Sequence, residues 1–385
     1  MTTAIATGIK VECDLAALTK AAERAARFAP RKSTLPVCEY IRLDARGGEL
    51  VLEASDLTVA ARFRVAADVT YPGAVCVPAR LLAKTLKALP KTMARVELSV
   101  DGVSLSVADA LVAGMKSDEF PPIPVVEGGA AVVLYQAALR STIRDVAFAA
   151  AVDEARPVLT GVHTLLEDST LTLAASDGHR LNVRRFDLDS AIGERTEIIV
   201  PARAMVELAR LLSEPLEPVE MTVNENRTLV AFRVPGAEVV ARLVQGTFPN
   251  YDHLIPHEFT TRVTVSAAAF LREVEAAAPY AKDSGGIVRL EIVRKVGGGG
   301  LRVMARAEEI GEYRGEIAAG IEGVPLGEAT STRIAFNYRY LAEALKALGD
   351  QDVTLETTTP QMPGVLRPVA GVDYVQVIMP MFVTW

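Results

Sequence analysis

Three segments of the chain share one spacing of apolar and polar residues, which is typical of an amphipathic helix. In this shared register Leu82, Met205 and Leu341 occupy the same apolar position. The segments begin 123 and 136 residues apart, a spacing of domain size rather than the roughly 20 to 50 residues of a solenoid repeat. They are residues 77–90 (VPARLLAKTLKALP), 200–213 (VPARAMVELARLLS) and 336–349 (FNYRYLAEALKALG). The pattern therefore predicts three copies of one domain.

Within the first copy, the spacing of apolar residues predicts two helices and several strands. The first helix covers residues 14–29, with Asp14 as its capping residue. The second helix begins at Pro78, because proline fits the first helical turn. The side chains expected to face the core from these helices are Leu15, Leu18, Ala22, Ala25, Ala26, Leu81, Leu82, Leu86 and Leu89. Strands are expected at residues 40–43, 50–54, 59–65, 96–100 and 103–107, the last two joined by an Asp101-Gly102 turn.

The other two copies repeat this order of elements. Copy two has helices at residues 135–152 and from Pro201, and strands at residues 161–166, 171–175 and 181–186. Copy three has helices at residues 266–280 and from Tyr338, and strands at residues 288–293, 301–305 and 313–317. Proline-rich segments, EFPPIP from Glu119 and FPNYDHLIP from Phe248, end the first two copies. The sequence thus predicts an α+β fold of three domains, 1–126, 127–259 and 260–385, each with two helices packed on antiparallel sheets.

Composition narrows the class of protein further. The chain has 385 residues, half of them hydrophobic and 23% charged, which allows two or three domains with cores of their own. It has no run of about 18 apolar residues, and its first residues lack the blocks of a signal peptide, so we expect a cytoplasmic protein. Cys13, Cys38 and Cys76 lie far apart, which indicates small buried side chains rather than disulfides or a zinc site.

The charged residues are divided unevenly between the predicted helices and the rest of the chain. Counted with their short flanks, the six helices carry +9, and the whole chain carries −7, which leaves −16 outside the helices. If the helices share one surface, that surface would attract phosphate groups. For any single helix, a solvated charged face is the simpler interpretation. The helices lack interleaved aromatic residues, so we expect contact with a nucleic-acid backbone and no sequence readout.

Five short motifs follow one another at domain spacing. They are KSTLP from Lys32, RPVLTG from Arg156, ASDGHRL from Ala175, FPNYDHLIP from Phe248 and MPM from Met379. In this order, and with the triple repeat, they resemble those of the bacterial DNA polymerase III beta subunits, the sliding clamps. The resemblance covers essentially the whole chain.

The resemblance implies a clamp fold and a homodimer whose six domains close a ring around duplex DNA, with helices lining the hole. It implies no catalysis, no cofactor and no metal. The ring would give processivity to the replicative polymerase by binding the DNA polymerase III alpha subunit. It would also tether other polymerases and repair proteins, and a clamp loader would open and close it. The expected location is the cytoplasm, in association with the nucleoid.

In this family a hydrophobic pocket accepts a short linear peptide from each partner. Carried over by position, the pocket residues are Leu159, Ser176, Gly178, His179, Arg180, Leu181, Pro249, His253, Leu254, Val377, Met379, Pro380 and Met381. The aliphatic residues and the flexible methionine thioethers are suited to varied apolar side chains. Arg180 and backbone groups are suited to the polar atoms of a peptide. From the residues alone, Asp177-Gly178 is a hairpin turn, and Met379 and Met381 are core residues or part of a frayed terminus.

The chain departs from the family pattern beside this pocket. Asp252-His253 stands where many clamps carry a basic pair, and Phe382 stands where an arginine is common. The chain then continues as Val383-Thr384-Trp385, an apolar end. These differences predict an altered affinity for partner peptides or for inhibitors, as in a specialised second clamp that acts in inhibitor resistance or repair.

The family also places basic residues of the inner helices and loops next to DNA. The matching residues here are Lys32, Arg80, Arg156, Arg203 and Lys282. Asp153 and Asp283 lie close to two of them in the sequence and weaken the local positive field. The sequence does not identify the residues of the dimer contact. Leu111, Phe270 and Leu271 are candidates either for this contact or for the core.

Two other classes of protein remain as alternatives. An enzyme would need a constellation of catalytic residues, but His163, His179, His253 and His257 have no metal-ligand spacing. The glycines at residues 297–300 lack the Lys-Ser/Thr of a phosphate loop and predict a flexible hairpin connection. A structural or adhesive protein built from three β-rich repeats is the second alternative, which a secretion signal would favour.

Overall fold

The protein is described by a computed structural model, which covers residues 9–153, 155–189, 191–295, 298–323 and 332–384. Gly297 and Trp385, which carry two of the expectations above, lie outside these residues. The chain divides into two compact units, one of residues 1–140 with 203–243 and one of residues 141–202 with 244–385. The three domain limits expected from the sequence stay predictions.

The described residues form six α-helices and 25 β-strands. The helices are α1 (Leu15–Phe28), α2 (Ala79–Ala88), α3 (Gln136–Val146), α4 (Ala202–Leu211), α5 (Ala267–Lys282) and α6 (Tyr338–Leu348). The strands are β1 (Lys10–Asp14), β2 (Tyr40–Arg46), β3 (Glu49–Ser55), β4 (Val59–Tyr71), β5 (Gly73–Pro78), β6 (Arg95–Asp101), β7 (Ser104–Val107), β8 (Ala110–Ala113), β9 (Met115–Lys116), β10 (Ala130–Tyr135), β11 (Gly161–Glu167), β12 (Thr170–Ser176), β13 (Arg180–Asp187), β14 (Thr196–Pro201), β15 (Pro218–Val223), β16 (Leu229–Val234), β17 (Ala237–Arg242), β18 (Thr261–Ser266), β19 (Ile287–Lys295), β20 (Gly298–Ala307), β21 (Gly311–Glu322), β22 (Thr332–Asn337), β23 (Asp352–Thr357), β24 (Gly364–Pro368) and β25 (Tyr374–Ile378).

The strands form two antiparallel sheets, one in each compact unit. The first unit has a sheet of 13 strands with the order β10-β15-β16-β17-β4-β1-β6-β7-β8, to which β2, β3, β5 and β9 are joined. The second unit has a sheet of 12 strands with the order β14-β11-β12-β13-β25-β24-β23-β18-β21-β20-β19-β22. In each sheet one pairing joins strands of two different copies: β17 pairs with β4, and β25 pairs with β13.

The helices bury the apolar stripes that the repeat predicted. Leu82, Met205 and Leu341, which share one register in the sequence, are each at most 1% exposed. Asp14 caps α1, because its Oδ1 accepts a hydrogen bond of 2.7 Å from the amide of Ala17. All three cysteines are buried, as expected for small apolar side chains. The structure therefore confirms the α+β fold of helices packed on antiparallel sheets.

Three details of the helix predictions are wrong. Leu81 is 49% exposed, because the buried stripe of α2 runs through Leu82 and Leu86, one turn apart. Ala21, and not Ala26, completes the buried face of α1. The first helix of copy two ends at Val146 instead of residue 152. Backbone carbonyls beyond this point accept side-chain hydrogen bonds, as Phe148 does from Arg180 Nη2 at 2.7 Å.

The sequence also missed one regular feature of the fold. Every one of the six helices follows a short strand with no loop between them, as β1 leads into α1 and β18 into α5. In addition, β4 extends to Tyr71 instead of ending near residue 65, because its two halves pair with different strands, β17 and β1. None of the helices in the described ranges is long and apolar enough to cross a membrane.

Candidate functional site

The turn between β12 and β13 is held by two side chains of its own. Ser176 Oγ accepts a hydrogen bond from the amide of Gly178 at 3.1 Å and donates one to the carbonyl of Arg180 at 2.7 Å. Asp177 Oδ1 accepts the amides of His179 and Arg180 at 2.9 and 3.1 Å. Gly178 adopts a φ of +90°, which glycine tolerates because it lacks a Cβ. The local sequence Ser-Asp-Gly thus fixes the shape of the turn.

Arg180 is held in place by the protein itself. Its Nε donates to Asp177 Oδ2 at 3.1 Å, and its Nη1 pairs with Glu343. Its guanidinium lies over the ring of Tyr340 at 4.7 Å from the centroid, and the side chain is only 10% exposed. The ring of His179 also stacks on Tyr340, at 6.3 Å. Arg180 therefore braces the turn in this structure, and its expected contact with a peptide stays a prediction.

Three of the expected pocket residues form the apolar floor next to this turn. Leu159, Leu181 and Val377 are each at most 5% exposed and belong to one buried cluster. Leu181 and Val377 are direct cross-strand neighbours in the pairing of β13 with β25. Leu159 reaches the cluster from a 3₁₀ turn, Pro157–Thr160. The structure therefore brings together residues from three distant parts of the sequence.

The remaining expected residues, apart from the buried Ser176 and the 10%-exposed Arg180, are exposed or half-buried, and we refer to them as the rim. Leu254 and Met379 are 40% and 41% exposed, which is high for large apolar side chains. The amide of Met379 donates to the carbonyl of His179 at 2.9 Å, and that of Met381 donates to the carbonyl of Ala335 at 2.8 Å. Exposed or half-buried positions are also occupied by Gly178, His179, Pro249, His253, Pro380 and Met381. Apolar rim residues beside a buried apolar floor are suited to the capture of apolar side chains.

An aromatic cluster that the sequence did not reveal packs against the same floor. His163 on β11 stacks on Phe248 at 5.1 Å and meets the edge of Tyr251 at 5.7 Å. Burial lowers the pKa of His163, although its hydrogen bond of 3.0 Å to Glu197 acts in the opposite direction. Burial also raises the pKa of Tyr251 to about 12. Phe248 and Tyr251 belong to the FPNYDHLIP motif, so only the partner on β11 lacked a signal in the sequence.

The five residues expected to face DNA are all exposed, but the side chains of two of them contact other residues of the chain. Arg156 Nη2 donates to the carbonyl of Asp177 at 2.8 Å, so this arginine lies against the pocket turn. Arg203 on α4 pairs with Asp56 in the turn between β3 and β4. No described residue forms an ion pair with the other three, which are Lys32, Arg80 and Lys282. Within the same residues no group of three or more His, Cys, Asp or Glu side chains is placed to hold a metal ion.

Comparison with known families decides which family this is. The N-terminal, central and C-terminal domain models of the DNA polymerase III beta subunit match residues 9–124, 133–250 and 252–382. The chain belongs to the DNA polymerase III beta subunit family. Its members include the beta sliding clamp of Synechococcus elongatus, which is 31% identical over 379 residues, 97% of this chain and 99% of that protein. The beta sliding clamp of Staphylococcus aureus is 27% identical over 91% of this chain and 93% of its own length.

Solved structures agree with this assignment. The sliding clamp of Bacillus subtilis has a TM-score of 0.87 at 25% identity, covering 98% of this chain and all of its own. The clamp of Pseudomonas aeruginosa bound to griselimycin has a TM-score of 0.86 at 25% identity, with the same coverage. The family and the fold together identify the function as that of a DNA sliding clamp.

Proposed function

We propose that two copies of this chain close a ring around duplex DNA and hold the replicative polymerase on it through the pocket beside Gly178. The observation that carries the proposal is the accessible rim of Leu254 and Met379 next to the buried floor of Leu159, Leu181 and Val377. A short apolar segment of the DNA polymerase III alpha subunit would occupy this pocket. The clamp loader, other polymerases and repair proteins would use it in turn. We expect no catalysis by the chain itself.

Two free strand edges support a closed homodimer. In the described residues β8 pairs only with β7, and β21 before Gly320 pairs only with β20. The chain already joins copies by two equivalent pairings, β4 with β17 and β13 with β25. We propose that β21 of one subunit pairs with β8 of its partner in the same way. Two such contacts related by a two-fold axis leave no free edge at either junction.

Side-chain exposure supports a role for β8 in this contact. Leu111 on β8 is 72% exposed, whereas Phe270 is fully buried and belongs to the core of the second unit. An apolar side chain with this exposure on an edge strand is typical of an interface. We therefore assign Leu111, and not Phe270, to the dimer contact.

The distribution of charge supports contact with the DNA backbone. The helices predicted from the sequence, counted with their short flanks, carry +9 in a chain of −7. The exposed Lys32, Arg80 and Lys282 have no ion-pair partner in the described ranges. Such a surface attracts phosphates without reading sequence. Arg156 and Arg203 would have to exchange their internal contacts for phosphates. The expected location is the cytoplasm, on the nucleoid.

Retention on DNA of different topology tests the proposal. The protein is loaded by a clamp loader onto a nicked circular plasmid, the bound fraction is isolated at moderate salt, and half of it is linearised. A ring stays on circles and is lost from linear ends. Retention that ignores the shape of the DNA and falls only with salt would show electrostatic binding, and the ring would have to be abandoned.

A further inference from the structure

The first compact unit contains a second turn in which a serine and an aspartate accept three backbone amides, as they do in the pocket turn. Ser55 Oγ accepts the amide of Leu57 at 3.0 Å, as Ser176 does from Gly178 at 3.1 Å. Asp56 Oδ1 accepts the next two amides, of Thr58 at 2.9 Å and of Val59 at 2.7 Å. Leu57 adopts a φ of +76°, in the region where Gly178 lies. The two turns are therefore equivalent, 121 residues apart.

The strands that flank the two turns are equivalent as well. Val240 on β17 is paired with Ala60, as Val377 on β25 is paired with Leu181. The amide of Arg242 donates to the carbonyl of Thr58 at 2.9 Å, which reproduces the bond from Met379 to His179 at the same distance. Each residue of the pocket floor thus has a counterpart in the first unit, and Arg242 stands in the place of Met379.

The counterparts in the first unit have smaller side chains. Cys38 replaces Leu159, because both lie in 3₁₀ turns that start with proline, Pro36–Glu39 and Pro157–Thr160. Ala60 replaces Leu181. Beside Ala60 the structure contains a hollow of about 200 Å³. Its lining includes Ser55, Leu57, Ala60, Pro121, Val240 and Arg242.

We infer that this hollow is a second peptide-binding pocket, which takes one aliphatic side chain next to a carboxylate. Its volume exceeds the roughly 150 Å³ of a cavity that holds benzene, yet it is smaller than the roughly 300 Å³ of most small-molecule sites, so one side chain fits best. Its walls are mostly apolar, and Leu57 at the rim is 47% exposed. The inference rests on the proposed function, because it extends the same mode of peptide capture to the first unit.

Arg242 determines the charge of the expected segment. Its Nε donates to the carbonyl of Leu57 at 3.0 Å, and no residue in the described ranges forms an ion pair with its exposed guanidinium. A guanidinium at the rim of an apolar hollow favours a carboxylate beside the inserted side chain. The first pocket has Met379 at this position, so the two pockets would prefer different segments.

Methyl NMR of the full-length protein, labelled at leucine and valine methyls, tests the inference. The probe is the capped tetrapeptide acetyl-Gly-Leu-Asp-Gly-amide, and the matched control has asparagine in place of aspartate. We expect shifts at Leu57, Val240 and Leu229, which also lines the hollow. We expect an affinity about tenfold lower for the control peptide and for Arg242→Met, from the loss of the charged hydrogen bond. Ala60→Leu, which copies Leu181, should fill the hollow and abolish these shifts. Arg242 is exposed, so Arg242→Met should leave the fold intact. This variant therefore still tests the inference if Ala60→Leu disturbs the fold.

The same spectra separate this inference from the proposed function. Shifts at Leu181 and Val377 report the first pocket, and shifts at Leu57 and Val240 report the second. If saturating peptide shifts only the Leu181 and Val377 signals, the inference of a second pocket is overturned and the proposed function is left intact. If it shifts only the Leu57 and Val240 signals, the second pocket is supported and peptide capture beside Gly178 is not. Shifts at Val240 that persist in Ala60→Leu would also overturn the inference.

Discussion

The turn at Ser55 and the turn at Ser176 share three hydrogen bonds from backbone amides to side chains but differ in their surroundings. In each, a serine hydroxyl and an aspartate carboxylate accept three amides of the turn. The second carboxylate oxygen of each aspartate pairs with an arginine, which is Arg203 on α4 for Asp56 and Arg180 of the same turn for Asp177. The shared Ser-Asp pair therefore sets the backbone, and the neighbouring side chains decide what the surface next to it can bind.

Removal of the aspartate should have the largest effect, and a similar one in both turns. Asp177→Ala and Asp56→Ala each remove the acceptor of two amides and one of the partners of a guanidinium. We expect a loss of roughly 2 to 3 kcal/mol in the local opening free energy, since hydrogen bonds to charged groups contribute roughly 1.5 to 3 kcal/mol. Hydrogen exchange of the amides of His179 and Thr58 measures it. Asparagine at either position keeps one acceptor oxygen and should lose less than half as much.

If only one of the two alanine variants opened its turn, the equivalence of the turns would be refuted. Peptide binding beside Gly178 should fall in Asp177→Ala and stay unchanged in Asp56→Ala. The second pocket should show the opposite pattern.

Exchanging Gly178 and Leu57, the residues with positive φ in the two turns, should change stability by a smaller amount and with opposite sign in the two turns. Gly178→Leu places a side chain at a φ of +90°, which costs roughly 1 to 2 kcal/mol. Its Cβ would lie 2.7 Å from two nitrogens of Arg156, but that side chain is exposed and can move. Leu57→Gly removes the same strain at the expense of roughly 0.5 to 1 kcal/mol of backbone entropy. Denaturant titration should show Gly178→Leu less stable than the parent and Leu57→Gly equal or slightly more stable.

The sequence predicted the repeat, and the pocket beside Gly178 stays a prediction from it, whereas no pattern in the sequence indicated the hollow beside Ala60. The register of each helix can be predicted because burial of one face, which contains Leu82, Met205 or Leu341, repeats apolar residues with a period of 3.6. The strands that lead directly into helices were missed, since no turn residue separates β1 from α1 or β22 from α6. The hollow in the first unit depends on what is absent beside Ala60, and a missing volume has no signature in a pattern of residue types. The hydrogen bond of Arg156 to the carbonyl of Asp177 and the ion pair of Arg203 with Asp56 likewise depend on tertiary contacts.

The histidine beneath the first pocket should make only that region sensitive to pH. Burial lowers the pKa of His163 below its usual value of 6.5, so the unfolded chain binds a proton before the folded one does. Stability is therefore complete above about pH 6.5 and falls as the pH decreases towards the lowered pKa, by at most about 1.4 kcal/mol per pH unit. Arg42 stands at the equivalent place on β2 and keeps its charge. Hydrogen exchange of β11 and β2 at pH 7.5 and 5.5 should show a loss of protection in β11 alone, and His163→Gln should remove it.

The apolar end of the chain should have the smallest effect, and it also distinguishes the two pockets. Arg242 is followed by the buried Leu243, whereas Met379 is followed by a segment in which Phe382 is 82% exposed. Deletion of residues 382–385 should change the affinity of a clamp-binding peptide for the first pocket by roughly two- to threefold. The effect is small because the exposed ring of Phe382 stabilises the complex only to the extent that the ligand covers it. Fluorescence anisotropy of a labelled peptide measures this. Equal affinity before and after the deletion would show that the end of the chain takes no part in binding, and Phe382→Arg, which restores the residue common in the family, then provides the matched comparison.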